Sequence, residues 1–253
     1  MRLDRINNVE KYIIEQETVT WDELKDHFQV SMNTIRRDVA ALESRGHIYK
    51  VYGGVASSAY EPVMTTSEER ALRNLAAKEK IGRLAATLAA DGQTVYLDSG
   101  TTVPFILPGL SKKENITVVT HSLNVMYEAS HYPSLNVIAL GGFYNHTLNS
   151  YTGTSTMEML SKISVDIVFL AATGVSLEKG LTNSTFFESE IKQKIARCSN
   201  KLVLMADDSK FDHISTISFC NFEDISVLVT NRMPPRSYRE TLRRRGIQLL
   251  CEE

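Results

Sequence analysis

Six short, almost wholly apolar runs punctuate the last two thirds of the chain: TVYL at 94–97, ITVVT at 116–120, NVIAL at 136–140, DIVFLAA at 166–172, KLVLMA at 201–206 and SVLVT at 226–230. A strand with one wet face alternates apolar and polar residues, and a strand covered on both faces does not. Helix-length segments separate the runs. The combination predicts an α/β domain over residues 76–253, with a mostly parallel sheet sandwiched between helices.

In such sheets a ligand binds beyond the carboxyl ends of the strands. The residues there are small and polar. TVYL runs into Asp98-Ser99-Gly100-Thr101-Thr102, a turn whose amides and hydroxyls suit a phosphate without a metal. The later runs end at His121-Ser122, Gly141-Gly142, Thr173-Gly174 and Asp207-Asp208-Ser209-Lys210. Lys210 is a counter-charge for a phosphate or carboxylate, and Asp207 a group to orient it or a sugar hydroxyl. Glycines at strand ends also serve as plain turn residues. Glu188 and Lys192, four apart on one helix face, either extend the polar wall or form an exposed helical ion pair, and their spacing alone favours the latter.

The first fifty-odd residues have another pattern. Ile6, Val9 and Ile13 share one face of a helix expected from Arg2 to Gln16. Residues 20–28 form a second helix, with Thr20 as N-cap, Glu23 completing a capping box, and Leu24 and Phe28 inward. After a Gln29-Val30 turn, a third helix opens at the N-cap Ser31, buries Ile35, Val39 and Leu42, and stops at Gly46. HIYKVYGGV at 47–55 then predicts a β-hairpin wing, with Tyr49 and Val51 packed beneath the helices.

Three short helices and a wing make a winged helix-turn-helix. Asn33, Arg37, Ala40 and Ser44 lie opposite the buried stripe, with Thr34 and Arg36 on its flanks. Arg pairs bidentately with guanine and Asn with adenine, and small residues let the helix approach. Ser31 and Thr34 hydroxyls, Lys50 and Tyr52 are expected on the phosphates. Against this, residues 1–55 carry eight Lys/Arg (Arg2, Arg5, Lys11, Lys25, Arg36, Arg37, Arg45, Lys50) and nine Asp/Glu (Asp4, Glu10, Glu15, Glu17, Asp22, Glu23, Asp26, Asp38, Glu43), no basic excess. The acids crowd residues 4–26, however, and phosphate contacts are local.

VSMNTIRRDVAALESRGHIYKVYGGV, at 30–55, resembles the N-terminal signature of the DeoR family of bacterial sugar-metabolism regulators. LDSGTT and ADDSKF resemble that family's D-x-G-T-T phosphate loop and D-x-S-K-F motif. The resemblance implies a DNA-binding domain over residues 1–57, a linker over 58–75 and a ribose-5-phosphate-isomerase-like effector domain. It further implies repression of a carbohydrate operon relieved by a phosphorylated sugar, held by Asp98 to Thr102, residues near His121 and Gly141, and Lys210. KVYGGV and GLTNS are most similar to members that repress inositol catabolism genes, which points to a phosphorylated keto-sugar acid. His121 departs from the family's usual Asn. Pro104 and Pro108 interrupt the helix expected after the phosphate loop.

Two alternatives stand beside this reading. An active sugar-phosphate isomerase needs a carboxylate base, for which Asp207, Asp208 and Glu188 are in the neighbourhood. EKGLTNSTFFESE at 178–190 is nonetheless a poor match to the isomerase's Gly-rich catalytic segment. A pure protein-interaction domain leaves the polar strand ends unexplained. No apolar run approaches the ~18 residues of a membrane span and the start is amphipathic, so a cytoplasmic location with no membrane partner is expected. Cys198, Cys220 and Cys251 lack disulfide or metal spacing, and neither cofactor nor metal is expected. Homodimers or homotetramers are expected because helix-turn-helix modules gain affinity and register by pairing on half-sites.

Overall fold

A computed structural model describes residues 2–16, 18–43, 48–51, 54–57, 66–198 and 200–252. The chain divides into two compact units, Met1–Met64 and Thr65–Glu253. In the first, α1 (Arg2–Gln16), β1 (Thr18–Thr20), α2 (Trp21–Phe28) and α3 (Met32–Glu43) precede the hairpin of β2 (Ile48–Val51) and β3 (Gly54–Ser57). Thr20 and Glu23 form the reciprocal capping box expected of them. Gln29, left-handed at φ 49°, turns the chain from α2 toward α3. Ile6, Val9, Ile13, Leu24, Ile35, Val39 and Leu42 form the core, and Phe28 packs at its margin.

Two features of this unit escaped the sequence reading. Ile48 rather than Tyr49 is the buried residue of the wing's first strand, and Tyr49 is half-buried. The wing also has a third strand, because β1 pairs antiparallel with β3 through Val19↔Val55 and Thr20↔Gly54. The approach is close: a Cβ on Gly54 would stand 2.2 Å from the Val19 carbonyl oxygen.

The second unit opens with α4 (Ser67–Ala71), capped by Thr66 and Glu69, and α5 (Leu75–Ala86). Part of the expected linker thus belongs to this unit: Ser67 N donates to Thr147 O at 2.8 Å, and Asn124 Nδ2 to Ser67 Oγ at 3.0 Å. The chain continues through β4 (Thr94–Leu97), α6 (Leu107–Leu110), β5 (Thr117–Thr120), α7 (Leu123–Ala129), β6 (Asn136–Ala139), β7 (Phe143–Asn145), β8 (Ser150–Thr152) and α8 (Thr154–Leu160). It ends through β9 (Ile167–Leu170), β10 (Gly174–Ser176), β11 (Gly180–Asn183), α9 (Phe186–Arg197), β12 (Leu202–Met205), β13 (Ile217–Cys220), β14 (Val227–Thr230), α10 (Arg236–Arg245) and β15 (Gln248–Cys251). Pro104 and Pro108 do break the helix after β4, into a 3-10 turn at Val103–Ile106 and the short α6.

All six apolar runs are strands of one seven-stranded parallel sheet, ordered β6-β5-β4-β9-β12-β14-β15. Alternate residues go to opposite faces. Val95, Leu97, Val118, Phe169 and Met205 meet α5 to α7, and Tyr96, Val119, Val168, Leu170 and Leu204 meet the other layer. Strand order reverses between β4 and β9, so the carboxyl ends of those two strands frame the switch point where open α/β sheets place ligands. No described helix is long and apolar enough to cross a membrane.

Candidate functional site

In the second unit, the switch point holds a buried polar cluster. Asp98 follows β4, and its Oδ2 accepts from the amide of Ala171, which follows β9, at 3.0 Å. The same oxygen lies 2.8 Å from Lys192 Nζ on α9, and Glu188 Oε1, one turn earlier, lies 3.0 Å from it. Lys192 also donates to Ala171 O at 2.7 Å and faces Asn183 Oδ1 at 3.5 Å. Burial alone would lower the Lys192 pKa, but the carboxylates of Asp98 and Glu188 outweigh it and hold the ammonium charged.

His121, after β5, is fully buried beside this cluster, with Nδ1 2.8 Å from Tyr96 Oη. Desolvation lowers its pKa, aided by Lys192 and opposed by Asp98 and Glu188, so the imidazole is neutral. Burial, then the charges of Asp98 and Glu188, raise the Tyr96 phenol well above its ordinary range. Tyr96 Oη makes no other bond among the described residues, so its proton is satisfied there only by donation to Nδ1, which leaves the ring proton on Nε2.

Buried polar atoms are nearly always bonded. Here Asp98 Oδ1, Ser99 Oγ, His121 Nε2 and Asn183 Nδ2 are buried with no partner among the described residues. The amides of Ser99, Gly100, Thr101 and Thr102 likewise donate to no backbone carbonyl there. A groove lined by Gln193, Arg197, Phe219 and Asp224 lies elsewhere along α9 and holds none of these atoms.

Several expectations change. Glu188–Lys192 is not an exposed ion pair: Lys192 is 1 % and Glu188 6 % exposed. Asp98 Oδ2 is taken up by the cluster, and its Oδ1 is one of the unpartnered atoms. Asp207, also buried, caps the turn that carries Lys210, its Oδ1 accepting from Ser209 N at 3.0 Å and Asn74 Nδ2 at 3.2 Å. Gly174 lies inside β10, where a Cβ would stand 2.3 Å from His213 O, which is a packing reason for glycine. Ser122 caps α7, accepting from Val125 N at 3.3 Å. Gly141 stands beyond the edge strand β6, its carbonyl accepting from Thr156 Oγ1 at 2.8 Å. Lys210, half-buried, follows β12, so it and the Ser99–Thr102 turn flank the end of β9. Asn183 and Tyr96 were missed. Asn183 sits within the quoted GLTNS, and Tyr96 hides in the run TVYL.

In the first unit, Asn33, Arg36, Arg37 and Ala40 are exposed along α3, and Thr34 is half-buried. Ser31 Oγ, on the exposed start of the helix, lies 2.9 Å from Thr34 Oγ1 and accepts from Thr34 N at 3.3 Å. The Arg36 guanidinium lies 5.9 Å from the Trp21 ring centroid. Lys50 Nζ is drawn 2.6 Å from Glu43 Oε2. Asp38, 1 % exposed on the inner face of α3, binds Arg5 Nε at 2.7 Å and so ties α1 to α3. Ser44 and Tyr52 lie outside the described residues.

The family model of the DeoR-like helix-turn-helix domain matches residues 5–60, and that of the DeoR C-terminal sensor domain matches residues 73–232. The HTH-type transcriptional regulator IolR of Bacillus subtilis is 37 % identical over 92 % of either chain. The regulator GolR of Listeria innocua is 35 % identical over 90 % of either chain. The glycerol-3-phosphate regulon repressor of Escherichia coli is 28 % identical over 98 % of either chain. Ribose 5-phosphate isomerase A of Methanocaldococcus jannaschii superposes over 55 % of either chain with TM-score 0.41 and 19 % identity. The curated relatives are regulators rather than enzymes, and the three carboxylates of the isomerase reading are all engaged: Glu188 by Lys192, Asp207 by Ser209 N, and Asp208 by Asn231 and Arg232. The chain belongs to the DeoR family of helix-turn-helix transcriptional regulators.

Proposed function

We propose that this regulator is a cytoplasmic repressor of a carbohydrate catabolic operon, released from operator DNA by a phosphorylated sugar or sugar acid. Relatives named as repressors, including that of the glycerol-3-phosphate regulon, support the direction of control. On this reading Asn33 and Arg37 face base edges. Ser31, Thr34, Arg36, Ser44, Lys50 and Tyr52 serve the phosphates, and homodimers or homotetramers span repeated half-sites.

The observation that carries the effector half is the set of four unpartnered buried polar atoms around Asp98 and Lys192 at the sheet's switch point. The amides of Ser99 to Thr102 and the hydroxyls of Thr101 and Thr102 take the phosphate, with Lys210 supplying charge from beyond β12. The sugar then extends toward His121, Asn183 and Lys192. A ligand that prefers the released arrangement by about 1–3 kcal/mol weakens DNA binding roughly 5- to 150-fold.

The test is thermal denaturation with phosphorylated sugars beside their unphosphorylated counterparts, since a ligand for the folded state raises Tm. Stabilisation by one phosphorylated compound, together with its release of the protein from operator DNA, supports the reading. Stabilisation by unphosphorylated sugars alone overturns the phosphate assignment.

A further inference from the structure

We infer that the inner half of this site takes an uncharged hydroxyl or carbonyl end of a phosphorylated polyol or ketose and rejects a carboxylate. The inference rests on the effector reading above and narrows its sugar-or-sugar-acid class.

The first ground is saturation of the only cation in the cluster among the described residues. An ammonium has three N–H donors. Lys192 Nζ meets Ala171 O at 2.7 Å, Asp98 Oδ2 at 2.8 Å and Glu188 Oε1 at 3.0 Å, with Asn183 Oδ1 further off at 3.5 Å. No proton remains to greet an incoming anion.

The second ground is the sign of the field. Asp98 and Glu188 supply two negative charges against the one positive charge of Lys192, all nine-tenths or more buried. His121 and Tyr96 beside them add none. A ligand carboxylate here would enter a region already net negative and shielded from water, where like charges repel strongly.

The third ground is the chemistry of the orphans. Asp98 Oδ1 accepts only. His121 Nε2–H and Asn183 Nδ2 donate, and Ser99 Oγ does either. Their complement both donates and accepts, as a hydroxyl does, or as a carbonyl beside a hydroxyl does. A carboxylate gives Asp98 nothing to accept. An ammonium suits the net charge but turns its protons against those of His121 and Asn183.

The experiment uses the full chain and matched phosphates differing at the far end: dihydroxyacetone phosphate against 3-phosphoglycerate, ribulose 5-phosphate against 5-phosphoribonate, and fructose 6-phosphate against 6-phosphogluconate. Binding is read by thermal shift and calorimetry. In whichever pair binds, the neutral member is expected to bind at least about tenfold tighter, and equal or tighter binding of the acid overturns the inference. Glu188→Gln removes one buried negative charge and is expected to raise the acid-to-neutral affinity ratio about tenfold. An unchanged ratio in a folded variant overturns it as well. If unphosphorylated neutral sugars bind and the phosphates do not, the phosphate assignment fails while this subsite stands. If no compound binds, both fail.

Discussion

Lys192 Nζ lies 2.8 Å from Asp98 Oδ2, joining α9 to the turn after β4 with both side chains at most 1 % exposed. Removing one partner of a buried ion pair strands the other's charge. Lys192→Ala leaves two carboxylates facing each other, and a loss of about 3–5 kcal/mol is expected in the second unit. Trp21, the chain's only tryptophan, reports on the first unit, and far-UV circular dichroism mainly on the second. Urea titration of Lys192→Ala should move the dichroism transition and leave the Trp21 fluorescence transition in place. An unmoved dichroism transition denies the pair its structural role.

The same pair shows where sequence pattern stops being informative. TVYL predicted β4 to the residue, and Thr20 with Glu23 predicted the start of α2, because burial on two faces and a capping box each leave a local signature. Spacing of four places Glu188 and Lys192 on one helix face whether that face is wet or dry. Their burial follows from packing against Asp98, far off in sequence. The ion pair of Asp98 with Lys192 left no local signature for the same reason. β15 went unseen because an edge strand of Gln248–Cys251 carries no long apolar run, and β1 because three residues show no period.

His121 is held neutral, chiefly by burial, so its folded pKa lies below the ordinary 6.5. The sign follows directly: below about pH 6.5 the unfolded chain binds a proton that the folded chain refuses, and stability falls as the pH drops toward the folded value. The contribution is at most about 1.4 kcal/mol per pH unit. His121→Asn removes it. Denaturant unfolding of the second unit between pH 5 and 7.5 should show a shallower acid loss in the variant than in the parent. Parallel curves would mean that His121 takes up its proton in the folded state.

Gly54 is where the wing's two antiparallel pairings crowd, at Thr20↔Gly54 and Val51↔Gly54. A Cβ there meets the Val19 carbonyl oxygen at 2.2 Å and Thr20 Cα at 2.9 Å, both backbone atoms that cannot swing aside. Gly54→Ala is expected to cost the first unit about 1–3 kcal/mol by overpacking. Here the Trp21 transition should shift and the dichroism transition should stay, the reverse of Lys192→Ala. No shift in either would mean that β1 leaves the sheet at little cost.

Arg37 and Arg5 separate reading DNA from holding the reader in place. Arg37 is exposed on α3, and nothing among the described residues ties it down, so its side chain is available to a base edge. Arg37→Ala is expected to leave unfolding unchanged and to lower the preference for operator over unrelated DNA by about 1–3 kcal/mol. Arg5, by contrast, meets Asp38 on the buried side of the same helix. Arg5→Ala leaves that carboxylate out of water without its cation and is expected to destabilise the first unit. It should weaken binding to operator and unrelated DNA by similar factors, since it loosens the helix and not one contact. Electrophoretic mobility shifts at one fixed salt concentration, with operator and scrambled duplexes, compare the two. If Arg37→Ala lowers affinity for both duplexes equally, Arg37 is a phosphate contact and the base reading moves to Asn33 and its neighbours on α3.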